Sequence, residues 1–375
     1  MLKLLPHVAS PTKIARVPVY LIHYLTSKCN ARCPHCFIFN EGDTRFAGKA
    51  LSADEIDKMT RSMGQDAYNV MLTGGETFLR KDIDDITNSY LENTGTQIIQ
   101  FFTNGWFEDR AYNCLEYFSR TFPKRNFVMV VSIDDLHEAH NDYRRLKDGF
   151  ERAMGTYNRV KALNRPNIDL DIGLTVNTAN EDRLDEIYDY LVKERGVRTL
   201  SCTLVRGDPL DPASKDVTLE NYERFSSRLN EGLSNGELDC FKGFPGSDLL
   251  NAKSSVMRTM IPKTIAEGFQ SNCYAGRLNG VIYANGDVYP CELLEDKFLG
   301  NLREFDYSLP ELWNSPKAKE VRDWIWESRC HCTHECFMTT NILFNPRHYP
   351  KLLWEYAKIK LSVASTSEGS DGSSP

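Results

Sequence analysis

Three cysteines, Cys29, Cys33 and Cys36, stand in the run Cys29-Asn30-Ala31-Arg32-Cys33-Pro34-His35-Cys36, a C-x3-C-x2-C spacing just after a strand-like segment. Three thiolates on one short loop can hold three irons of a cubane iron–sulfur cluster and leave the fourth iron open to a small molecule. A zinc motif more often brings two CxxC-like pairs, or one pair with two histidines. No such partner pair lies near this loop, and its neighbouring imidazoles are His23 and His35. A second group, Cys273, Cys291, Cys330, Cys332 and Cys336, occupies the far end of the chain, while Cys114, Cys202 and Cys240 are scattered. Two groups of thiols predict two metal sites.

The elements that position these groups follow from periodicity. Strand candidates at 17–25, 70–73, 97–103, 127–133, 168–176 and 199–205 alternate with helical stretches, which predicts a parallel sheet with crossover helices. One helix opens with the capping box Ser52-Ala53-Asp54-Glu55; another carries Leu184, Ile187, Tyr188 and Leu191 and stops before Gly196. Six strand–helix repeats suit an open, partial (β/α)6 barrel, whose ligands gather at the carboxyl ends of the strands. Gly207-Asp208-Pro209 breaks the pattern and starts a bridge over 207–270, with a helix from Thr218 to about Arg228 and a loop at Gly232–Gly236. Around Asn285-Gly286, alternating apolar residues predict a hairpin that brings Cys273 and Cys291 to one end. The expected division is therefore an N-terminal extension (1–16), the barrel (17–206), the bridge, an auxiliary cysteine domain (271–361) and a disordered Ser/Gly-rich tail (362–375).

Charge and composition narrow the function. The net charge is −7 and there is no Lys/Arg-rich block, which argues against nucleic acid as the main partner. Mean hydropathy is −0.44, and neither a membrane span nor a secretory signal is expected, so the chain reads as cytoplasmic. In that compartment eleven cysteines point to metal ligands or reactive thiols rather than disulfides.

Beyond the cysteine loop, strand ends carry Thr73-Gly74-Gly75-Glu76, Thr103-Asn104-Gly105, Ser132-Ile133-Asp134-Asp135 followed by His140-Asn141-Asp142-Tyr143-Arg144, Thr175-Val176-Asn177 and Val205-Arg206-Gly207. With these motifs in order, the chain resembles the radical S-adenosylmethionine (SAM) superfamily, and its second cysteine group resembles the SPASM/twitch extension. The resemblance spans 17 to roughly 345. It implies a 4Fe-4S cluster on Cys29, Cys33 and Cys36 whose open iron binds SAM. One electron, from a donor such as flavodoxin or ferredoxin, then cleaves SAM to a 5′-deoxyadenosyl radical that takes a hydrogen atom from a substrate C–H. By the same resemblance His35 lies against the adenine, and Gly74, Gly75 and Glu76 meet the amino group. Ser132 and Arg144 serve the carboxylate and ribose, Asp134 belongs to the same cofactor-binding segment, Asn104 and Asn177 serve the nucleoside, and Arg206 either SAM or an anionic substrate. Asp135 stands where glycine is usual and Asn141 where aspartate is usual.

The second group implies one auxiliary 4Fe-4S cluster on Cys273 and Cys291 with two of Cys330, Cys332 and Cys336; a zinc site using His334, in a non-catalytic scaffold, is the competing reading. Cys114 and Cys202 read as core, Cys240 as a hydrogen donor, and Glu292 or Asp287 as a base. Only a short segment precedes the first strand, and together with the single auxiliary cluster this leans the expectation to a small polar metabolite or sugar, oxidised or epimerised. The alternative is a maturase acting on a ribosomally made peptide.

Overall fold

A computed structural model describes residues 15–39, 44–239 and 247–368. Six parallel strands, β1 (Tyr20–Tyr24), β2 (Asn69–Thr73), β3 (Ile98–Thr103), β4 (Asn126–Ser132), β5 (Ile168–Val176) and β6 (Leu200–Leu204), lie side by side in chain order. Central strands such as Phe127–Val131 are apolar throughout because helices cover the sheet and its inner face closes on the barrel. The crossovers carry α1 (Ala53–Met63), α2 (Ile83–Asn93), α3 (Glu108–Thr121), α4 (His137–Arg144), α5 (Gly149–Lys161) and α6 (Leu184–Tyr188). The α1 capping box forms as expected, with Glu55 N donating to Ser52 Oγ and Ser52 N to Glu55 Oε2. Beyond α6 the chain widens into a π-helical turn over Asp189–Glu194, and Leu184, Ile187, Tyr188 and Leu191 are all buried.

The auxiliary cysteine region does not stand apart from the barrel. Its strand β7 (Asn279–Ile282) pairs in parallel with the free edge of β1, matching Leu21 to Gly280 and Ile22 to Val281. The expected hairpin turns at Gly286, whose φ of +92° suits glycine. It continues into β8 (Asp287–Tyr289) and β9 (Gly300–Asn301), giving one nine-stranded sheet in the order β6-β5-β4-β3-β2-β1-β7-β8-β9. After α9 (Leu309–Trp313) and α10 (Pro316–Glu327), the chain reaches α11 (Glu335–Leu343). There the Leu204 N–H of β6 donates to Glu335 Oε1 at 3.0 Å. The C-terminal module thus holds both edges of the open barrel.

Two boundaries differ from the sequence expectation. Helix α7 (Leu219–Ser234) runs through Gly232 because Tyr222, Phe225, Leu229 and Leu233 continue one buried stripe past it. The long helix α8 (Ser247–Glu267) follows, and the closing helix α12 (Tyr349–Glu368) packs on it through the buried Leu352 and Ile359. Backbone helix therefore extends over 362–368, read from composition as disordered. An established helix adds a hydrogen bond for each further residue even without an apolar face. The rest of that tail, 369–375, and Cys240, the expected hydrogen donor, lie outside the described residues. Among those residues no helix is long and apolar enough to cross a membrane.

Candidate active site between two cysteine groups

The first cysteine loop is tied down from three sides. Gly75 N donates to Thr26 O at 2.6 Å and Glu76 N to Lys28 O at 2.9 Å, binding the loop's approach to the end of β2. A Cβ on Gly74 or Gly75 would fall inside contact distance of Thr26 O or Lys28 O, so the pair is needed for close backbone approach. From α4, Arg144 O accepts Arg32 N at 3.0 Å; from the segment after β6, Leu210 N reaches Cys36 O at 3.0 Å and Asp211 N reaches Pro34 O at 2.8 Å. The start of the expected bridge is in fact a clamp on the cysteine loop.

A cavity of about 250 Å³ opens over the strand ends. Cys29, Cys33, Cys36, His35, Gly74, Gly75, Asn104, Ser132, Arg144 and Arg206 line it, as do Glu292 and Cys336. The residues Glu76, Asp134 and Asn177, expected at the cofactor, stand behind the wall. Glu76 is 1% exposed, and its carboxylate accepts Phe78 N, Thr103 Oγ1 and Asn104 N, pinning β3 to the Gly-Gly turn. Asn177 closes its own turn, accepting Ala179 N and donating to Thr175 O. Asp134 is buried and takes Arg144 Nε at 2.8 Å and Nη2 at 2.7 Å on one oxygen, with Thr175 N on the other. Burial opposes its charge, but Arg144 holds its carboxyl below the ordinary range. Asp134 therefore aims the Arg144 guanidinium at the cavity. His35 stacks on Tyr143 at 5.4 Å between centroids, and burial pushes it down to about 4, so it is neutral. Asn104 donates to Asn30 Oδ1 at 2.8 Å, bracing the residue after Cys29. At the unusual position 135, the aspartate caps Leu136 N and pairs with Arg183 at 2.9 Å.

The thiols suit an iron–sulfur cluster. Ala31 N points at Cys29 Sγ at 3.4 Å and Leu293 N at Cys291 Sγ at 3.5 Å, and backbone N–H groups also reach Cys36, Cys273 and Cys332. Such N–H···S contacts stabilise cluster thiolates. Burial pushes Cys33 up to about 12 and Cys36 and Cys332 to about 11, so the thiolate form calls for the positive charge that a cluster supplies. In the C-terminal group, Cys332 acts electrostatically on both Cys273 and Cys291, and Cys330 acts on Cys273 and Cys332. Cys336 lines the cavity. The charged groups acting on it are Arg206, Glu292, Glu335 and Lys253.

Between the two cysteine groups lies a buried polar junction. Glu292 accepts the Tyr24 hydroxyl on Oε1, while Oε2 meets His334 Nε2 and, at 3.3 Å, Arg206 Nε. Burial would raise the Glu292 carboxyl, but Arg206 and His334 outweigh it and hold the group at about 2. Burial and Arg206 push His334 down despite Glu292, so a neutral imidazole faces an ionised carboxylate. His334, the zinc-ligand candidate, is engaged by this carboxylate. Asp287, the other base candidate, braces the hairpin, accepting Asn285 Nδ2 and Asn301 Nδ2 at 2.8 Å. Cys114 and Cys202 are core, 1% and 6% exposed. Sequence adjacency to Cys291 was the available signal for Glu292; nothing in the sequence joined Tyr24 to it across the fold.

This fold and its paired cysteine groups define a cluster-bearing partial-barrel enzyme. Residues 24–191 match the radical SAM superfamily, and 273–336 match SPASM, an iron–sulfur cluster-binding domain. The chain belongs to the radical SAM superfamily, in its SPASM/twitch subgroup, and is an enzyme of reductive SAM cleavage whose cofactors are SAM, a 4Fe-4S cluster and auxiliary iron–sulfur binding in the SPASM domain. That assignment displaces the zinc scaffold. The chain is 25% identical over 320 residues to the cysteine-type anaerobic sulfatase-maturating enzyme of Clostridium novyi, covering 81% of each. It is 24% identical over 297 residues to the sporulation killing factor maturation protein SkfB of Bacillus subtilis, covering 77% of this chain but only 63% of SkfB. Among solved structures, anSMEcpe with bound AdoMet superposes with a TM-score of 0.61 at 18% identity, covering 92% of this chain and 96% of that one. Streptococcus suis SuiB bound to precursor peptide SuiA gives 0.59 at 17% identity, covering 86% and 69%.

Proposed function

We propose that this enzyme modifies a peptide, working at a carbon held in the cavity between its two cysteine groups. The observation that carries the site is the shared wall: the first cysteine loop contributes Cys29, Cys33 and Cys36, and the C-terminal module contributes Glu292 and Cys336. Cys29, Cys33 and Cys36 would hold the SAM-binding cluster. Cys273, Cys291, Cys330 and Cys332 would hold a single auxiliary cluster, the choice resting on the electrostatic action of Cys330 and Cys332 on Cys273 and on the N–H···S contacts at Cys273, Cys291 and Cys332. When bound to its reduced cluster, SAM supplies a carbon radical able to remove a hydrogen atom from an unactivated C–H.

The chain's own residues orient and exclude. Arg144, fixed by Asp134, offers a guanidinium to the SAM carboxylate, a pairing suited to bidentate geometry. Ser132, Gly74 and Gly75 offer polar and backbone surface beside it, and His35 offers a neutral ring to a base. Phe37, Phe39 and Phe102 keep the cavity largely apolar, which limits stray hydrogen donors near a radical. Arg206, balanced by Glu292, presents the substrate side with a partly neutralised cation. Glu292 itself, ionised and bound by three groups, is a weak base and a strong anchor.

The peptide reading replaces the expectation of a small metabolite. It draws support from SkfB, named as a maturation protein, from the sulfatase-maturating relative, and from SuiB, solved with its precursor peptide. The lean towards a metabolite rests on a short leading segment and a single auxiliary cluster, neither of which says what the cavity accepts. The test is incubation of the reconstituted enzyme, SAM and dithionite with short peptides encoded beside its gene. A peptide that raises 5′-deoxyadenosine formation and emerges altered by mass or stereochemistry supports the reading. Stimulation by sugars or cyclitols, with every peptide returned unchanged, contradicts it.

A further inference from the structure

Below the strand ends the cavity reaches into the barrel, and its wall differs from one side to the other. Ile22 of β1, Met71 of β2, Phe102 of β3 and Val130 of β4 give it apolar surface. Gly173 of β5 and Ser201 of β6, paired in register, continue the wall. A Cβ on Gly173 would fall 2.8 Å from Val130 Cγ1 and 4.0 Å from Ser201 Oγ, so the lumen is narrow here and the bare glycine leaves the hydroxyl uncovered. Ser201 Oγ donates to Asp171 Oδ2 at 2.6 Å. Its one proton is committed there, and towards the cavity it can only accept. Asp171 shares the face of β5 that carries Gly173 and Thr175, both cavity residues, and is 3% exposed. Among the described residues its Oδ1 has no hydrogen-bond partner. Lys253 and Arg258 of α8 act on it electrostatically, but burial prevails and pushes the carboxyl up to about 7.

We propose that Ser201 and Asp171 form a subsite inside the barrel for an alkylammonium group of the substrate. Ser201 Oγ accepts its hydrogen bond, and Asp171 is the positioning residue that fixes the hydroxyl and supplies the negative charge. The proposal rests on the peptide reading above and deepens it: the group is the side chain of a lysine. An unbranched aliphatic chain matches a narrow lumen walled by Ile22, Met71, Phe102 and Val130. Its compact ammonium needs one acceptor and a nearby charge, whereas a guanidinium calls for a planar fork of acceptors. A carboxylate or phosphate is disfavoured twice, because Ser201 has no proton to offer it and Asp171 repels it. A methyl at the chain end would leave the outward lone pair of Ser201 without a donor and the Asp171 charge unpaired, which costs affinity. The subsite therefore selects on the charge at the end of the chain.

The experiment measures binding to reconstituted holoenzyme with SAM and no reductant, so that nothing turns over. The probes are the pentapeptide acetyl-Gly-Gly-Lys-Gly-Gly-amide, its norleucine counterpart, which keeps the four-carbon chain and lacks the ammonium, and n-butylammonium chloride alone. Anaerobic equilibrium dialysis compares wild type with Asp171→Asn and Ser201→Ala. Wild type is expected to bind the lysine peptide at least about tenfold more tightly than the norleucine peptide, the effect of one hydrogen bond to a charged group. That ratio should fall to about one in both variants, a loss of selectivity that a merely structural role would not produce. A norleucine peptide that binds wild type as tightly, or a lysine preference that survives in Asp171→Asn, would overturn the subsite and leave the peptide reading standing. The wild-type comparison holds even if a variant fails to fold. Asp171-dependent binding of n-butylammonium, with no binding of either pentapeptide, would keep the cation subsite, assign it to a free amine and contradict the peptide reading. No measurable binding of any probe would overturn the subsite as well.

Discussion

Arg206 Nε lies 3.3 Å from Glu292 Oε2, joining the end of the last barrel strand to the residue after Cys291. The pair welds the C-terminal module to the barrel at the cavity wall. Breaking a buried pair by removing one partner typically costs about 3–5 kcal/mol, because the other charge is left behind. Arg206→Met is therefore expected to destabilise the holoenzyme by about 3 kcal/mol in anaerobic urea unfolding. Adding Glu292→Gln should recover part of that loss. Strictly additive losses in the double variant would mean the two groups do not interact.

Asp134 acts through Arg144. Replacing it with asparagine removes the charge-assisted contacts at 2.7 and 2.8 Å and leaves the guanidinium unaimed. Hydrogen bonds to charged groups contribute about 1.5–3 kcal/mol, so SAM affinity should fall about 10- to 100-fold while iron content stays the same. Anaerobic equilibrium dialysis with labelled SAM measures it; an unchanged affinity would detach Asp134 and Arg144 from SAM binding.

Gly75→Ala tests how the first loop is held. A methyl group there meets Lys28 O, and the loop has to move. The expected outcome is loss of the first cluster alone, with iron falling from about eight to about four per chain and the auxiliary cluster's absorption retained. Full iron in this variant would show that the close approach is dispensable.

Glu55 gives a pH signature far from the cavity. Its carboxylate accepts Arg303 Nε at 2.7 Å and the Tyr307 hydroxyl at 2.9 Å, and the Arg303 bond chiefly holds it at about 2. Because the folded value lies below the unfolded one of about 4.3, the contribution is full above about pH 4.3 and fades as pH falls towards 2. Glu55→Ala should cost about 1–2 kcal/mol near neutrality, from the lost capping box and ion pair. That difference should be flat from pH 8 to 5 and shrink on further acidification. Urea unfolding followed by tryptophan fluorescence checks the trend; a difference that grows in acid would reverse the sign.

The sequence carried the barrel because each of its strands and helices has a strong local period, from the apolar run at 127–131 to the stripe ending at Leu191. It also carried the cysteine loop and the Gly-Gly turn, whose spacing is local chemistry. Glu76, Asp134 and Asn177 show the limit of such reading. Each sits in the right motif, but whether a side chain meets a ligand or braces the wall depends on neighbours such as Thr103, Arg144 and Ala179, brought together only by folding. Likewise the pairing of β7 with β1, and the place of Cys336 in the cavity wall beside Arg206, depend on contacts across more than 100 residues of chain that no spacing encodes.

The central claim is that two separate cysteine sets hold two clusters, and that the first alone cleaves SAM. Iron and labile sulfide after anaerobic reconstitution, with dithionite-driven 5′-deoxyadenosine formation, test it in wild type and in the Cys29→Ala/Cys33→Ala/Cys36→Ala variant. The account predicts about eight irons falling to about four, with cleavage abolished. A variant that keeps about eight irons, or still forms 5′-deoxyadenosine, would contradict it.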